Sequence, residues 1–320
     1  MEWGLLSRLT AFLDQLERLV TTRRYVLVDW PDYHNTGDHL IWLGAKHALN
    51  RLGRICIADY TAWDVRSGAM PAVPPDVTVI CSGGGNFGDI YPNFQRTREI
   101  LAQTCRDSRL IVLPQTIYFK DPDKARDSAA LFRDHPDAVI FGRDPRSAEE
   151  AAAFTAPERA LLAPDCALFL YPLVSLLRER LPASPPAHET MLLARNDAEA
   201  GKRRPQLNAA GLKLDWLGKL GDYTDLTGDV EAIFATLKPD LAALFGPLTW
   251  RDDISLQRLI LGILLLGQGH RLVTDRLHAH ILACMLAKPH TLLDNSYGKN
   301  RQFHACWTKD IPFVSLEDPA

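Results

Sequence analysis

Tyr25-Val-Leu-Val-Asp-Trp-Pro-Asp-Tyr-His-Asn-Thr-Gly-Asp38 opens as a β-rich run, breaks into a polar loop and continues into a helical pattern over residues 38–51. A short strand feeding a helix through a tight loop is the repeating unit of a doubly wound parallel sheet. The rhythm recurs. Strands are predicted at 25–29, 54–58, 77–81, 109–113, 138–141 and 161–163, with helices at 38–51, 93–106, 124–133 and 147–154, where apolar residues return every three or four positions.

Leu181-Pro-Ala-Ser-Pro-Pro-Ala187 interrupts this pattern, because prolines remove backbone donors and favour an extended linker. The break at 178–188 predicts two domains, residues 1–180 and 189–320. In the second, strands are expected at 189–194, 271–273 and 291–293, and helices at 256–266 and 277–286. Residues 201–253 carry no readable pattern; within them Lys202-Arg203-Arg204 reads as a solvated basic turn and Trp216 as a core tryptophan.

The chain has 320 residues, 47% hydrophobic and 23% charged, with a net charge of -3. That length accommodates two cores, and the mild acidity excludes a basic surface for nucleic acid. Six cysteines (Cys56, Cys81, Cys105, Cys166, Cys284, Cys306) are scattered without a Cys-x-x-Cys pair, which predicts free thiols, a reducing cytoplasm and no structural zinc. Residues 1–20 lack the pattern of a signal peptide and read as an amphipathic helix, with Trp3, Leu6, Leu9, Leu13, Leu16 and Val20 at helical spacing. Such a helix can dock on the protein's own core or touch a membrane peripherally. The apolar run 259–266 is too short to span a bilayer.

Candidate chemistry gathers at the predicted strand ends. Asn35-Thr-Gly-Asp38 lets Gly37 bring backbone close to a ligand while Asp38 caps the next helix. Ser82-Gly-Gly-Gly-Asn-Phe-Gly-Asp89 spends three consecutive glycines, Gly83, Gly84 and Gly85, before Asn86, which predicts a backbone cradle. It matches neither a Walker loop nor a dinucleotide fingerprint. Gln115 and Arg143 stand at two more strand ends and suit sugar or anion contacts. Arg195 follows the strand at 189–194. In His270-Arg-Leu-Val-Thr-Asp-Arg-Leu-His-Ala-His280 an apolar run stops at Thr274-Asp275. If either caps the next helix, Arg276 and His278 lie in its first turn, beside free N–H groups and the positive end of the dipole. A guanidinium for an anion and an imidazole for a proton suggest chemistry on a small anionic donor.

Six motifs in this order, Asn35-Thr-Gly-Asp38, Ser82-Gly-Gly-Gly-Asn-Phe-Gly88, Leu113-Pro-Gln115, Phe141-Gly-Arg-Asp144, Ala163-Pro-Asp165 and Thr274-Asp-Arg-Leu-His278, resemble the polysaccharide pyruvyl transferases. The resemblance covers roughly residues 25 to 300. It implies a GT-B-like α/β fold, two Rossmann-like domains facing each other across a cleft, with the acceptor on the N-terminal side and the donor on the C-terminal side. It implies phosphoenolpyruvate as co-substrate, without a further cofactor or metal, and a glycan or lipid-linked oligosaccharide acceptor that receives pyruvate as a ketal. Arg195, Arg276 and His278 would be donor-binding, with His278 the acid and Asp38, Asp89 or Asp165 the base. Asn35, Gly37, Asp38, Gly83, Gly84, Gly85, Asn86, Gln115, Arg143 and Asp165 would line the cleft. The expected location is the cytoplasm, with room for peripheral contact at the inner face of the membrane. A nucleotide-sugar glycosyltransferase and a catalytically silent sugar-binding protein of the same fold are the alternatives, since fold alone does not fix the donor.

Overall fold

The computed structural model describes residues 4–181, 185–195 and 211–317, the side chain of Leu5 excepted. Among these residues twelve strands form two parallel sheets. The first contains β1 (Arg24–Val28), β2 (Ile55–Tyr60), β3 (Val77–Cys81), β4 (Gly84–Gly88), β5 (Leu110–Tyr118), β6 (Ala138–Gly142) and β7 (Ala160–Leu162). The second contains β8 (His188–Leu193), β9 (Leu212–Leu214), β10 (Gly269–Thr274), β11 (His290–Leu293) and β12 (Val314–Glu317). The helices are α1 (Leu5–Leu19), α2 (Thr36–Arg51), α3 (Ala62–Arg66), α4 (Pro92–Thr104), α5 (Pro122–Arg133), α6 (Pro145–Ala151), α7 (Tyr171–Arg180), α8 (Thr224–Thr227), α9 (Val230–Phe245), α10 (Trp250–Gly267), α11 (Leu277–Met285) and α12 (Lys299–Phe303).

The strand order is β2-β1-β3-β5-β6-β7 in the first sheet and, read from its other edge, β9-β8-β10-β11-β12 in the second. Both follow the doubly wound order 2-1-3-4-5 once β4, which pairs with β5 off the main path, is set aside. In such a sheet the chain reverses its winding between the first and third strands, so the loops after those strands open a crevice at the carboxyl edge. For the first sheet these loops start at Asp29 and Ser82. For the second they carry Arg195 and Asp275-Arg276.

Compact packing divides the chain into residues 1–32 with 44–166, and residues 33–43 with 167–320. The expected division at 178–188 differs in two places. Helix α7 ends at Arg180 inside the second unit, and the Tyr33–Leu43 segment packs with that unit as well. The Pro-rich break does separate α7 from β8, although residues 182–184 lie outside the described set.

The core strands are largely apolar, as burial on both faces of a parallel sheet requires. Every residue of β3 and of β6 is buried, and so are all of β1 but its first. Phe87, Phe132 and Phe154 interlock in the first core, with ring centroids 5.0–6.0 Å apart. Helix α1 docks on the protein's own core through Leu9, Phe12, Leu16 and Val20. Phe12 meets Phe141 at 5.4 Å, while Leu6 stays exposed, so the buried stripe is rotated from the one expected; Trp3 lies outside the described residues. All six cysteines are free, four buried and Cys56 and Cys306 partly so. Among the described residues no helix is long and apolar enough to cross a membrane.

The glycine run is not a loop. Gly84 to Gly88 form β4 and continue the sheet beside the outer half of β5, with Gly84 opposite Gln115 and Gly88 opposite Tyr118. Pro114 stands where β5 exchanges its partner β3 for β4, as a residue without an N–H requires. The glycines answer a steric demand, since a Cβ on Gly88 (φ 139°) would lie 1.8 Å from the Tyr118 carbonyl oxygen. Gly83 and Gly84 are buried and Gly85 and Asn86 partly buried.

Candidate functional site

At the switch point of the second sheet, strand ends β8 and β10 lie side by side, with Thr274 opposite Leu193. The Thr274 hydroxyl donates to the Leu193 carbonyl at 2.6 Å and accepts the Arg276 N–H at 3.0 Å. Asp275 accepts the Arg195 N–H at 2.7 Å, and its own carbonyl accepts from the Asn300 side chain at 2.7 Å. These bonds fix both arginine backbones at the carboxyl edge. Burial raises the Asp275 carboxyl above its usual range, against the lowering pull of the Arg195 N–H and of the Arg195 and Arg276 charges.

Helix α11 starts one residue later than a cap at Asp275, and two later than a cap at Thr274, would place it. Arg276 occupies the N-cap with an extended backbone and no side-chain cap, because the Thr274 hydroxyl satisfies its N–H from outside the helix. His278 is then the second helical residue, in the first turn at the positive end of the helix dipole. Arg276 is 3% exposed. Its Nη2 donates to Asp215 Oδ2 at 2.5 Å, and its Nε has no hydrogen-bond partner. Arg195 is also buried, whereas His278 is partly exposed.

The start of α2 comes to the same place. Asn35, rather than Asp38, caps this helix, its Oδ1 accepting the Gly37 N–H at 3.1 Å. Asp38 sits in the first turn, one oxygen accepting from the Tyr33 hydroxyl at 2.9 Å and from Asn35 Nδ2 at 2.7 Å. A Cβ on Gly37 would lie 2.5 Å from His278 Nδ1, so only glycine lets the α2 backbone pack against that imidazole. His39 anchors the segment from beneath. Its Nε2–H donates to the Tyr33 carbonyl at 3.0 Å and its Nδ1 accepts from the Ser255 hydroxyl at 2.9 Å, and burial holds its pKa down to about 3. From α10, Arg258 donates to His34 Nδ1 at 2.8 Å and to the Gly218 carbonyl at 2.6 Å, fastening the loop that carries Asp215. The other Asp215 oxygen accepts the Trp216 N–H at 2.8 Å, and Trp216 is buried as expected.

Asp215 escaped the sequence reading. It lies in the unreadable stretch and 61 positions from the arginine it holds.

In the first unit the candidates are otherwise engaged. Arg143 and Asp165 form an ion pair at 2.8 Å with side chains 1% and 0% exposed, and Arg143 Nε donates to Thr116 Oγ1 at 2.8 Å. Asp89 accepts the N–H groups of Lys120 and Asp121 with its two oxygens, at 2.8 and 3.0 Å. Asn86 receives Arg98, which also pairs with Asp29 at 3.6 Å. Gln115 donates to the Ser82 carbonyl at 2.9 Å, and its buried Oε1 has no hydrogen-bond partner. Of the three candidate bases, Asp89 and Asp165 therefore hold the fold together, while Asp38 stands one residue from the Gly37–His278 contact.

The structure also gathers His280, Cys284 and His290, a grouping that His and Cys spacing did not reveal. As the helical spacing requires, His280 faces the core while His278, two residues earlier, does not.

The chain is similar to other proteins over most of its length. EpsO of Bacillus subtilis (strain 168) is 29% identical over 320 residues, covering 98% of this chain and 93% of its own length. Pyruvyl transferase 1 of Schizosaccharomyces pombe is 31% identical over 304 residues, covering 89% and 70%. A crystal structure of a functionally uncharacterized protein from Klebsiella pneumoniae superposes with a TM-score of 0.65 at 18% identity, covering 97% and 98%, and so shares the fold. Residues 35–297, from the α2 cap to the loop beyond β11, match the polysaccharide pyruvyl transferase family, and the chain belongs to it.

Proposed function

We propose that the protein transfers pyruvate from phosphoenolpyruvate to a terminal sugar of a polysaccharide or lipid-linked oligosaccharide, forming a ketal. One observation carries this reading: two buried arginines at the switch point of the second sheet, one with an unsatisfied Nε, beside a histidine at a helix start. Phosphoenolpyruvate bears a phosphate and a carboxylate on one small enol, and two guanidiniums can bind both and orient the double bond. Asp215 orients Arg276 in advance, and the backbone bond to Asp275 does the same for Arg195.

His278, as imidazolium, donates a proton to the methylene carbon. The carbon bearing the phosphate becomes an oxocarbenium-like centre, which the first sugar hydroxyl attacks. Loss of phosphate regenerates that centre, and the second hydroxyl closes the ketal. Two hydroxyl protons are released; one restores His278 and the other leaves with phosphate. Asp38 is the base for the attacking hydroxyls. Arg276 and the positive end of the α11 dipole hold the negative charge that builds on the departing phosphate. The acceptor belongs to the N-terminal side, past Gly83, Gly84, Gly85, Asn86 and Gln115, in the GT-B arrangement of two Rossmann-like domains facing each other across a cleft. No metal or further cofactor enters this scheme, and the proposed location is the cytoplasm, beside the inner face of the membrane.

The test is a transfer reaction in deuterium oxide with phosphoenolpyruvate and a sugar diol acceptor, followed by 31P and 1H NMR. Acceptor-dependent release of phosphate with one deuterium in the new ketal methyl group is expected. A sugar transferred from a nucleotide donor, or phosphate release that ignores the acceptor, sinks the assignment.

A further inference from the structure

Two residues beyond His278, the other face of α11 carries a donor set that the proposed reaction does not use. His280 and Cys284 are one helical turn apart on α11, and His290 opens β11; all three are essentially inaccessible. His280 Nδ1 lies 2.7 Å from His290 Nε2. The Cys284 sulfur is 3.8 Å from His280 Nδ1 and 3.9 Å from His290 Nε2.

Hydrogen bonding fixes which nitrogens face inward. His290 Nδ1 is 2.8 Å from the Lys288 carbonyl, which can only accept, so Nδ1 carries the proton and Nε2 presents a lone pair. His280 Nε2 meets the Thr308 hydroxyl at 2.9 Å, and that hydroxyl also meets His304 Nδ1 at 2.9 Å. His280 Nδ1–H therefore donates to His290 Nε2 at 2.7 Å; because the Thr308 hydroxyl can donate or accept, that proton can move to His280 Nε2 when a metal displaces the bond, leaving Nδ1 as a second lone pair. Each imidazole thus has an oxygen partner on its outer nitrogen, the arrangement that orients histidines bound to metals.

We propose that His280 Nδ1, His290 Nε2 and Cys284 Sγ bind a soft monovalent d10 cation, copper(I), in trigonal geometry. Donors at bond lengths of about 2.0–2.3 Å around a trigonal ion stand roughly 3.5–3.8 Å apart. The sulfur stands 3.8 and 3.9 Å from these two nitrogens but is also 3.9 Å from His280 Nε2, so binding requires the imidazoles to separate by somewhat under an ångström and His280 to turn its Nδ1 towards the sulfur. Charge selects the ion. One thiolate and two neutral imidazoles around a monovalent cation leave a neutral site, whereas a divalent ion would strand a positive charge in a core that offers it no carboxylate among these ligands. On binding, the Cys284 S–H bond breaks, its proton passes to solvent, and the His280 proton resides on Nε2; no electron is transferred. The ion ties α11, which positions Arg276 and His278, to the first residue of β11.

The test is an anaerobic titration of the reduced full-length protein with copper(I) buffered by bicinchoninate, with near-ultraviolet absorption and thermal melting as readouts. Wild type is expected to withdraw one equivalent, gain a thiolate-to-copper absorption band and melt at a higher temperature. Cys284→Ala is expected to lose the band and the shift and to bind at least 100-fold more weakly, although Cys56, Cys81, Cys105, Cys166 and Cys306 remain. Cys284→Ser, which changes one atom, replaces the alanine variant if that one fails to fold. The proposal is overturned if wild type takes no copper, if the Cys284 variants take it equally well, or if zinc occupies the same site as tightly.

Discussion

Arg143 and Arg276, one in each unit, resemble each other in placement: each is a buried arginine just beyond a strand of a doubly wound sheet. Their surroundings differ. Arg143 meets a fully buried carboxylate, and a hydroxyl takes its Nε. Arg276 meets Asp215, whose side chain is 15% exposed, and its Nε is left without a partner. A buried cation whose donors are consumed by the fold is a structural element; one held in place with a donor to spare is prepared for an anion from outside. The same contrast separates Asp165 and Asp89 from Asp38.

The largest effect is expected where the charge is most enclosed. Arg143→Met strands Asp165 in the core and should lower the unfolding free energy by about 3–5 kcal/mol, read by urea denaturation. A change under about 1 kcal/mol would erase the contrast. Arg276→Ala should instead lower kcat/KM for phosphoenolpyruvate by about two to three orders of magnitude, since in the proposed reaction the lost donor faces the departing phosphate. Steady-state kinetics beside the melting curve decide whether activity rather than folding carries the loss.

Gly37→Ala sharpens the picture within the second unit. The new methyl would press on His278 Nδ1, so kcat should fall about tenfold or more while phosphoenolpyruvate affinity, set by the arginines, changes less. A kcat equal to wild type would detach His278 from the chemistry.

The last effect is a slope with pH. The folded pKa of His39, about 3, lies below its unfolded value of 6.5, so the unfolded chain takes up the proton first. Its contribution to stability is complete above pH 6.5 and is lost progressively as pH falls towards 3, at up to about 1.4 kcal/mol per unit. His39→Gln should flatten that part of a stability curve measured by urea denaturation across this range; an unchanged slope would contradict it.

Legibility in the sequence followed the physics of burial. Strands β1, β3 and β6 announced themselves because both faces are buried and, apart from Arg24 and Gly142 at their ends, their residues are apolar or β-favouring. Strand β4 did not, since Gly-Gly-Asn-Phe-Gly joins the ladder by backbone alone and its glycines signalled a loop. Helix α9 hid behind Pro239 in its interior, and β9 and β12 are three and four residues long. The placement of Arg276 and His278 was readable because a strand end and a helix start are local signals, although the expected cap at Thr274 or Asp275 is taken by Arg276 itself. Asp215 and the Gly37–His278 contact are products of tertiary folding with no local pattern to betray them, and although His280 and Cys284 share one helical turn, it is the return of the chain into β11 that adds His290.

The measurement that reaches the central claim most directly is calorimetric titration of phosphoenolpyruvate into wild type, Arg276→Ala and Arg143→Met, each under conditions where it is folded. Binding by wild type and Arg143→Met, with none by Arg276→Ala, is the predicted result and places the donor at the second switch point. Undiminished binding by Arg276→Ala, with loss in Arg143→Met, would contradict the account and move the donor to the first unit.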